Sequence, residues 1–207
     1  MKALYSAIAL VIVSLTAPEA AVATPVDIAS GTSGTSFLNQ SFNETRGVTA
    51  TPGVNLELLS MTLRDFDIGV SSVVGARVYN DSTQALIATQ DQLAPAASDQ
   101  TVTIPILVAL VAGQAYRFAF FVDDGSGYMF DPDPPNLAGF LYSTGPFQVS
   151  AAWSIASDAF PTLTNTFVPH ITLDVLAVPE PGILALVIVA FSVMPFVWRR
   201  KNPCELN

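Results

Sequence analysis

The sequence predicts an all-β protein, an antiparallel β-sandwich with jelly-roll-like connections. Three observations carry that prediction. Short runs rich in Val, Ile, Thr, Phe and Tyr recur from Phe37 to Val175, divided by Gly, Pro, Asn, Asp and Ser. Several of these runs alternate apolar and polar residues with a period of two. Between the two ends of the chain no segment repeats apolar residues at helical spacing, and no internal repeat has a fixed period.

In chain order, residues 24–36 carry the cluster Gly31-Thr32-Ser33-Gly34 and are expected to be a flexible lead-in. From Leu56 to Arg64 the alternation slips at Leu58-Leu59, after which Leu59, Met61 and Leu63 keep the apolar parity. A β-bulge explains the slip, and so does a strand buried on both faces. Val74, Ala76 and Val78 share the core face of the next strand, opposite Arg77 and Tyr79. Asn80-Asp81-Ser82-Thr83 then turns the chain into a strand from Ala85 to Thr89. Val102, Ile104 and Ile106 oppose Thr101 and Thr103. Val111-Ala112-Gly113-Gln114 is expected to close a hairpin with the next strand, in which Tyr116, Phe118, Phe120 and Val122 face the core and Arg117, Ala119 and Phe121 face away. Asp123-Asp124-Gly125-Ser126-Gly127 ends that strand. The run Asp131-Pro132-Asp133-Pro134-Pro135 is a loop, because proline cannot sit in a central strand. Strands at Phe140–Ser143, Phe147–Ile155 and Phe167–Val175 bring the total to about eight to ten.

The two ends have another character. Lys2, an apolar run from Ala3 to Leu15 and the small-x-small site Ala21-Val22-Ala23 read as a signal-peptide helix over residues 1–23, cut before Thr24. The sandwich is assigned to residues 37–177 and a C-terminal signal to 178–207. Between Thr24 and Val178 the only cations are Arg46, Arg64, Arg77 and Arg117, whereas of seventeen Asp and Glu only Glu19, Glu180 and Glu205 lie outside. So acidic a segment, without lysine, excludes binding to a nucleic-acid backbone, which requires clustered Lys and Arg. The single cysteine, Cys204, lies beyond it, so no disulfide framework is available and the core alone holds the fold.

The C-terminal stretch reads Val178-Pro179-Glu180-Pro181-Gly182, then an uncharged apolar run from Ile183 to Trp198, then Arg199-Arg200-Lys201. As a helix the run is apolar on every face and spans about 24 Å at about 1.5 Å per residue, short of the ~30 Å hydrocarbon core. Snorkelling by the arginines and the interfacial preference of Trp198 make up the difference. The basic cluster stays cytoplasmic, which places everything before Pro179 outside. This order of parts resembles the PEP-CTERM sorting signal of Gram-negative bacteria. The resemblance covers about thirty residues. Gly182 stands where Ser or Thr is common in that family, and Asn202 to Asn207 extend past its usual end. The resemblance implies recognition of Pro179, Glu180, Pro181 and the cluster Arg199, Arg200 and Lys201 by an exosortase, which removes the transmembrane helix 183–198 during export. It also implies a place at the cell surface, in the matrix or biofilm that accompanies exopolysaccharide production. A second resemblance, over Val73 to Val122, is to β-sandwich domains of unassigned role in bacterial exported proteins. It carries over no catalytic residue.

Little in the ectodomain promises chemistry. His170 is the only histidine and is expected to point outward with Thr172 and Asp174, opposite Ile171, Leu173 and Val175. No Gly-x-Ser-x-Gly elbow is present, and one His without an exported Cys cannot assemble a zinc site. Asp123, Asp124, Asp131 and Asp133 flank a Gly-rich turn and are the candidates for calcium, with a plain solvated turn as the preferred reading. Asp65 and Asp67 are read as turn residues at a strand end, and Trp153 as a core residue. Asn39, Asn43 and Asn80 begin Asn-x-Ser/Thr triplets, of little meaning in a bacterium. Tyr128, Phe130, Phe140, Tyr142 and Trp153 are the aromatics that a carbohydrate-binding module would use. The expectation is a non-enzymatic exported protein without cofactors. Its partners are signal peptidase, an exosortase, the membrane and extracellular polysaccharide, and the alternative is a carbohydrate- or calcium-binding module of the same fold.

Overall fold

Alternation is most regular in the strand Ala97–Leu110, where Val102, Ile104, Ile106, Val108 and Leu110 are buried and Thr101, Thr103, Pro105, Leu107 and Ala109 are exposed. A period of two puts one such set on each side of a pleated sheet, and the apolar set defines the core side. The computed structural model describes residues 22–28, 36–39, 44–68, 71–123, 126–131, 142–165 and 168–178. They form two antiparallel sheets enclosing one core, the arrangement of a β-sandwich, and none of them is helical.

The strands in chain order are β1 (Thr24–Asp27), β2 (Ser36–Asn39), β3 (Glu44–Pro52), β4 (Leu56–Ile68), β5 (Ser72–Asn80), β6 (Leu86–Ala94) and β7 (Ala97–Leu110). They continue as β8 (Tyr116–Val122), β9 (Ser126–Asp131), β10 (Tyr142–Thr144), β11 (Phe147–Ile155), β12 (Leu163–Asn165), β13 (Val168–Pro169) and β14 (Ile171–Ala177). The first sheet is built on β4, which pairs with β7 along one side and with β14 and then β9 along the other; β1 extends β14, while β2 and β13 flank β9. The second runs β10-β11-β3-β8-β5-β6, with β12 also on β11. Phe118, Phe120 and Val122 of β8, Val74, Ala76 and Val78 of β5, and Val48 and Ala50 of β3 meet Leu58, Met61, Leu63, Ile104, Ile171 and Leu173 of the first sheet in the core. The ring of Phe118 stands edge-on to Phe147 at 5.9 Å, a favourable aromatic geometry.

Several sequence expectations are corrected. Thr24–Asp27 is a strand, not a flexible lead-in: it pairs with β14, Thr24 opposite Val175, and Val26 and Ile28 enter the core. The Val111–Gln114 turn is not a hairpin, since β7 and β8 belong to different sheets; with Gly113 at φ 76° it carries the chain across the sandwich. The turn after Asn80 does close a hairpin. Asn80 Oδ1 accepts from the backbone N of Ser82 (3.0 Å) and of Thr83 (3.1 Å), and the second strand runs on to Ala94. Asp65 and Asp67 lie within β4 rather than in a turn. The slip at Leu58-Leu59 is a bulge: the ladders of β4 shift register there on both sides, so that Leu56 and Leu58 before it and Met61 and Leu63 after it all reach the core.

One side of the sandwich is closed by contacts from β1 and the residue after it. Tyr142 donates its hydroxyl to the carbonyl of Ile28, and Thr144 Oγ1 donates to that of Asp27 at 2.6 Å. On the opposite side β6 runs directly into β7 through Pro95 and Ala96, crossing from the second sheet to the first.

Candidate functional site

The outer face of the second sheet is where charge and aromatic rings gather. Its rows follow from register: Tyr79 of β5 lies beside Arg117 of β8 and Thr49 of β3, and the next row is Arg77, Ala119, Gly47 and Trp153 of β11. These residues alternate with the core set, so solvent would be their ordinary environment. Instead β8 is buried on both faces, and Arg77 and Arg117 are each only 4% exposed. The cover is the segment 156–162 between β11 and β12, which brings Asp158, Phe160 and Pro161 over the sheet.

The two arginines hold that segment down. Arg117 lies between two rings, 3.8 Å from the centroid of Trp153 and 4.1 Å from that of Phe160. It donates to Asp81 through Nε (2.9 Å) and Nη2, and to the carbonyl of Pro161 through Nη1. Trp153 Nε1 donates to Thr49 Oγ1 (2.8 Å), which donates to the same Asp81 oxygen (3.1 Å), closing a loop of contacts around Arg117. Arg77 forks onto Asp158 (3.0 and 2.9 Å) and reaches Asp91 at 2.5 Å. Phe160 meets Tyr79 edge-on at 5.3 Å, and Thr45 Oγ1 donates to the carbonyl of Ser157 at 2.7 Å. Small residues make room for this layer. A Cβ on Gly47 would stand 2.6 Å from that of Ala119, and one on Gly75 would strike the Arg77 guanidinium and Asp91.

The electrostatics follow from burial. Arg117 is drawn below the ordinary arginine range because burial strips its hydration, with the bond and charge of Asp81 offsetting part of that. Burial acts on Arg77 in the same direction, but hydrogen bonds and charges from Asp158 and Asp91 outweigh it and its pKa is raised. The Tyr79 phenol is raised by burial first and by the charge of Asp158 second. All four arginines between Thr24 and Val178 are ion-paired, the others being Arg46 with Glu44 (2.6 Å) and Arg64 with Asp27 (2.5 Å). The cluster spends its charge internally, and its chemistry is that of a clasp.

The residues singled out from sequence fare variously. Asp123 Oδ1 accepts from the backbone N of Val73 at 2.7 Å, tying the end of β8 to β5. Asp131 is the last residue of β9, opposite Val168, while Asp124 and Asp133 lie outside the described residues. Among the described residues no three His, Cys, Asp or Glu side chains gather to hold a metal ion. His170 is buried, 8% exposed, rather than outward-facing; it sits at the junction between β13 and β14, where strand alternation does not carry through. Ile171, Leu173 and Val175 do face the core. Trp153 is outside the core, because the ladder of β11 and β3 shifts register between Val149 and Ala151 and reverses the parity set by Phe147 and Val149. Tyr142 is half-buried against the core, its hydroxyl bound to Ile28, which removes it from the surface aromatics. Tyr128 and Phe130 lie in β9, paired with β2, and Phe140 lies outside the described residues.

Ala23 is exposed and Thr24 opens β1. Ala21, Pro179, Glu180, Pro181, the run 183–198 and Arg199, Arg200 and Lys201 lie outside the described residues. Among the described residues no helix is long and apolar enough to cross a membrane.

No family model matches the sequence, and no curated protein is significantly similar to it. Among solved structures, one of the infectious bursal disease virus Gx strain aligns with a TM-score of 0.24 and 10% identity. That alignment covers 78% of this chain and 41% of the viral chain, so this chain spans less than half of the viral one. A likeness at that level carries no argument.

Proposed function

We propose that the chain is an exported, non-enzymatic β-sandwich protein of the bacterial cell surface or extracellular matrix, sorted and processed by an exosortase through a PEP-CTERM signal. The observation that carries this reading is the order Pro179-Glu180-Pro181, apolar run, Arg199-Arg200-Lys201, behind a signal-peptide pattern ending at Ala23. Signal peptidase and the exosortase are then its processing enzymes, and exopolysaccharide its surroundings. The flanking segments are a signal-peptide helix and a transient transmembrane helix. Jelly-roll-like connections suit a chain that crosses between sheets as often as this one does.

The fold supports the reading in two ways. The first strand begins at Thr24, directly after the small-x-small site, and the last ends at Ala177, two residues before Pro179. The end of the sandwich from which the chain continues to Pro179 also exposes aliphatic side chains. There Val54, Val111 and Val178 are 49%, 53% and 45% exposed around Asn55, which accepts from Ala112 N through its side chain (2.9 Å) and from Val178 N through its carbonyl (3.0 Å). Bare valines at the chain exit suit a position against lipid before release. Replacing Pro179, Glu180 and Pro181 together by Ala is expected to leave protein that still carries residues 183–201 in the inner-membrane fraction, while the wild type reaches the exterior. Release of the variant as efficient as that of the wild type would refute the sorting reading.

A further inference from the structure

Two strand edges lie free side by side where β6 passes into β7, since among the described residues β6 pairs only with β5 and β7 only with β4. A free edge offers unpaired N–H and C=O groups to another strand unless something blunts it. On β7 the block is Pro105, which lacks a donor in the middle of the strand and is tolerated at an edge for that reason. On β6, Leu86-Ile87-Ala88-Thr89-Gln90-Asp91-Gln92-Leu93-Ala94, no proline interrupts the edge; the Asp91 carbonyl accepts from Gln90 Nε2 of the same strand at 3.1 Å, an exposed contact that an incoming strand can replace. The strand has no Pro, Lys or Arg, and its one charge, Asp91, is held 2.5 Å from Arg77 of its own sheet. Its one irregularity, the register shift that leaves Ile87 unpaired, lies at its start. Leu86, Ile87 and Leu93 are 49%, 45% and 68% exposed.

The sequence of β6 is complementary to itself when reversed. Set antiparallel to a second β6 with Gln90 opposite Gln90, Ile87 falls opposite Leu93, Thr89 opposite Asp91 and Ala88 opposite Gln92. Thr89 and Asp91 share a face, as do Ile87 and Leu93, so each two-fold pair joins an exposed aliphatic to an exposed aliphatic and a hydroxyl donor to a carboxylate. No like charges stand directly opposite each other. We propose that this edge is the interface with a second copy of the chain, a two-fold β6–β6 pairing that joins the second sheets of two sandwiches into one continuous sheet.

The register is testable because Gln90 lies on the axis. In an antiparallel ladder the two Gln90 Cα atoms stand about 4.5–5.5 Å apart, within disulfide range, whereas the two Gln92 Cα atoms stand about 13 Å apart along the strands, beyond it. In the full chain carrying Cys204→Ser, mild oxidation of Gln90→Cys is expected to give predominantly disulfide-linked dimer and that of Gln92→Cys monomer. Both positions are exposed, so both variants are expected to keep the wild-type melting temperature. Monomer from both variants would overturn the proposal, and so would equal dimer yields from both, which report random collision rather than register.

Discussion

Asp81→Ala is expected to destabilise the sandwich by about 3–5 kcal/mol, and Arg117→Met by only about 1–2 kcal/mol, although both delete one half of the same ion pair. The asymmetry lies in what each substitution leaves behind. Without Asp81 the Arg117 guanidinium, 4% exposed in the wild type, stays between two rings, and its remaining oxygen partner among the described residues is the carbonyl of Pro161. Thr49 loses its acceptor in the same step. Without the guanidinium, a methionine of similar length still fills the gap between Trp153 and Phe160, and Asp81, whose side chain is 25% exposed, turns to water. Urea denaturation of both variants measures the difference. Equal losses would mean that the charge is better solvated beneath the 156–162 segment than its surroundings indicate.

Phe118→Ala is expected to cost about 3–5 kcal/mol, a loss of similar size from the opposite face of the same strand. Phe118 is among the largest fully buried side chains, edge-on to Phe147 and 6.2 Å from Tyr116. Truncation removes its transfer free energy and leaves a cavity between two sheets whose ladders hold their spacing. Phe118→Leu, which fills most of the volume, is expected to lose less than half as much. A midpoint shift in chemical denaturation with unchanged slope would assign the loss to the folded state.

Period-two patterning made the core faces of β5, β7 and β8 legible, because Val74, Ala76 and Val78, and likewise Val102, Ile104 and Ile106, carry their environment in their spacing. Connections were less legible. A short Gly-containing turn such as Val111–Gln114 reads the same whether the chain returns to its own sheet or crosses to the other. Bulges hid the face of Trp153, since one extra residue near Ser150 reverses the inward parity set by Phe147 and Val149. The clasp left only a half-signal: Arg77 and Tyr79 share one parity, as do Arg117 and Phe121, an odd composition for a face in water. Its lock, Arg77 with Asp158, joins residues 81 positions apart, and no local pattern announces such a pair. The strand at Thr24–Asp27 was missed because four residues beside a Gly and Ser cluster are too few to show a period.

The proposed removal of the tail is tested most directly by the intact mass of wild-type protein recovered from the cell exterior, compared between cells with and without the proposed processing enzyme. With the enzyme, the recovered chain is expected to begin at Thr24 and to lack Arg199, Arg200 and Lys201; without it, the chain is expected to stay in the membrane with them attached. Exterior protein that still carries residues beyond Trp198 in cells with a working enzyme would contradict processing and leave a simple tail-anchored sandwich.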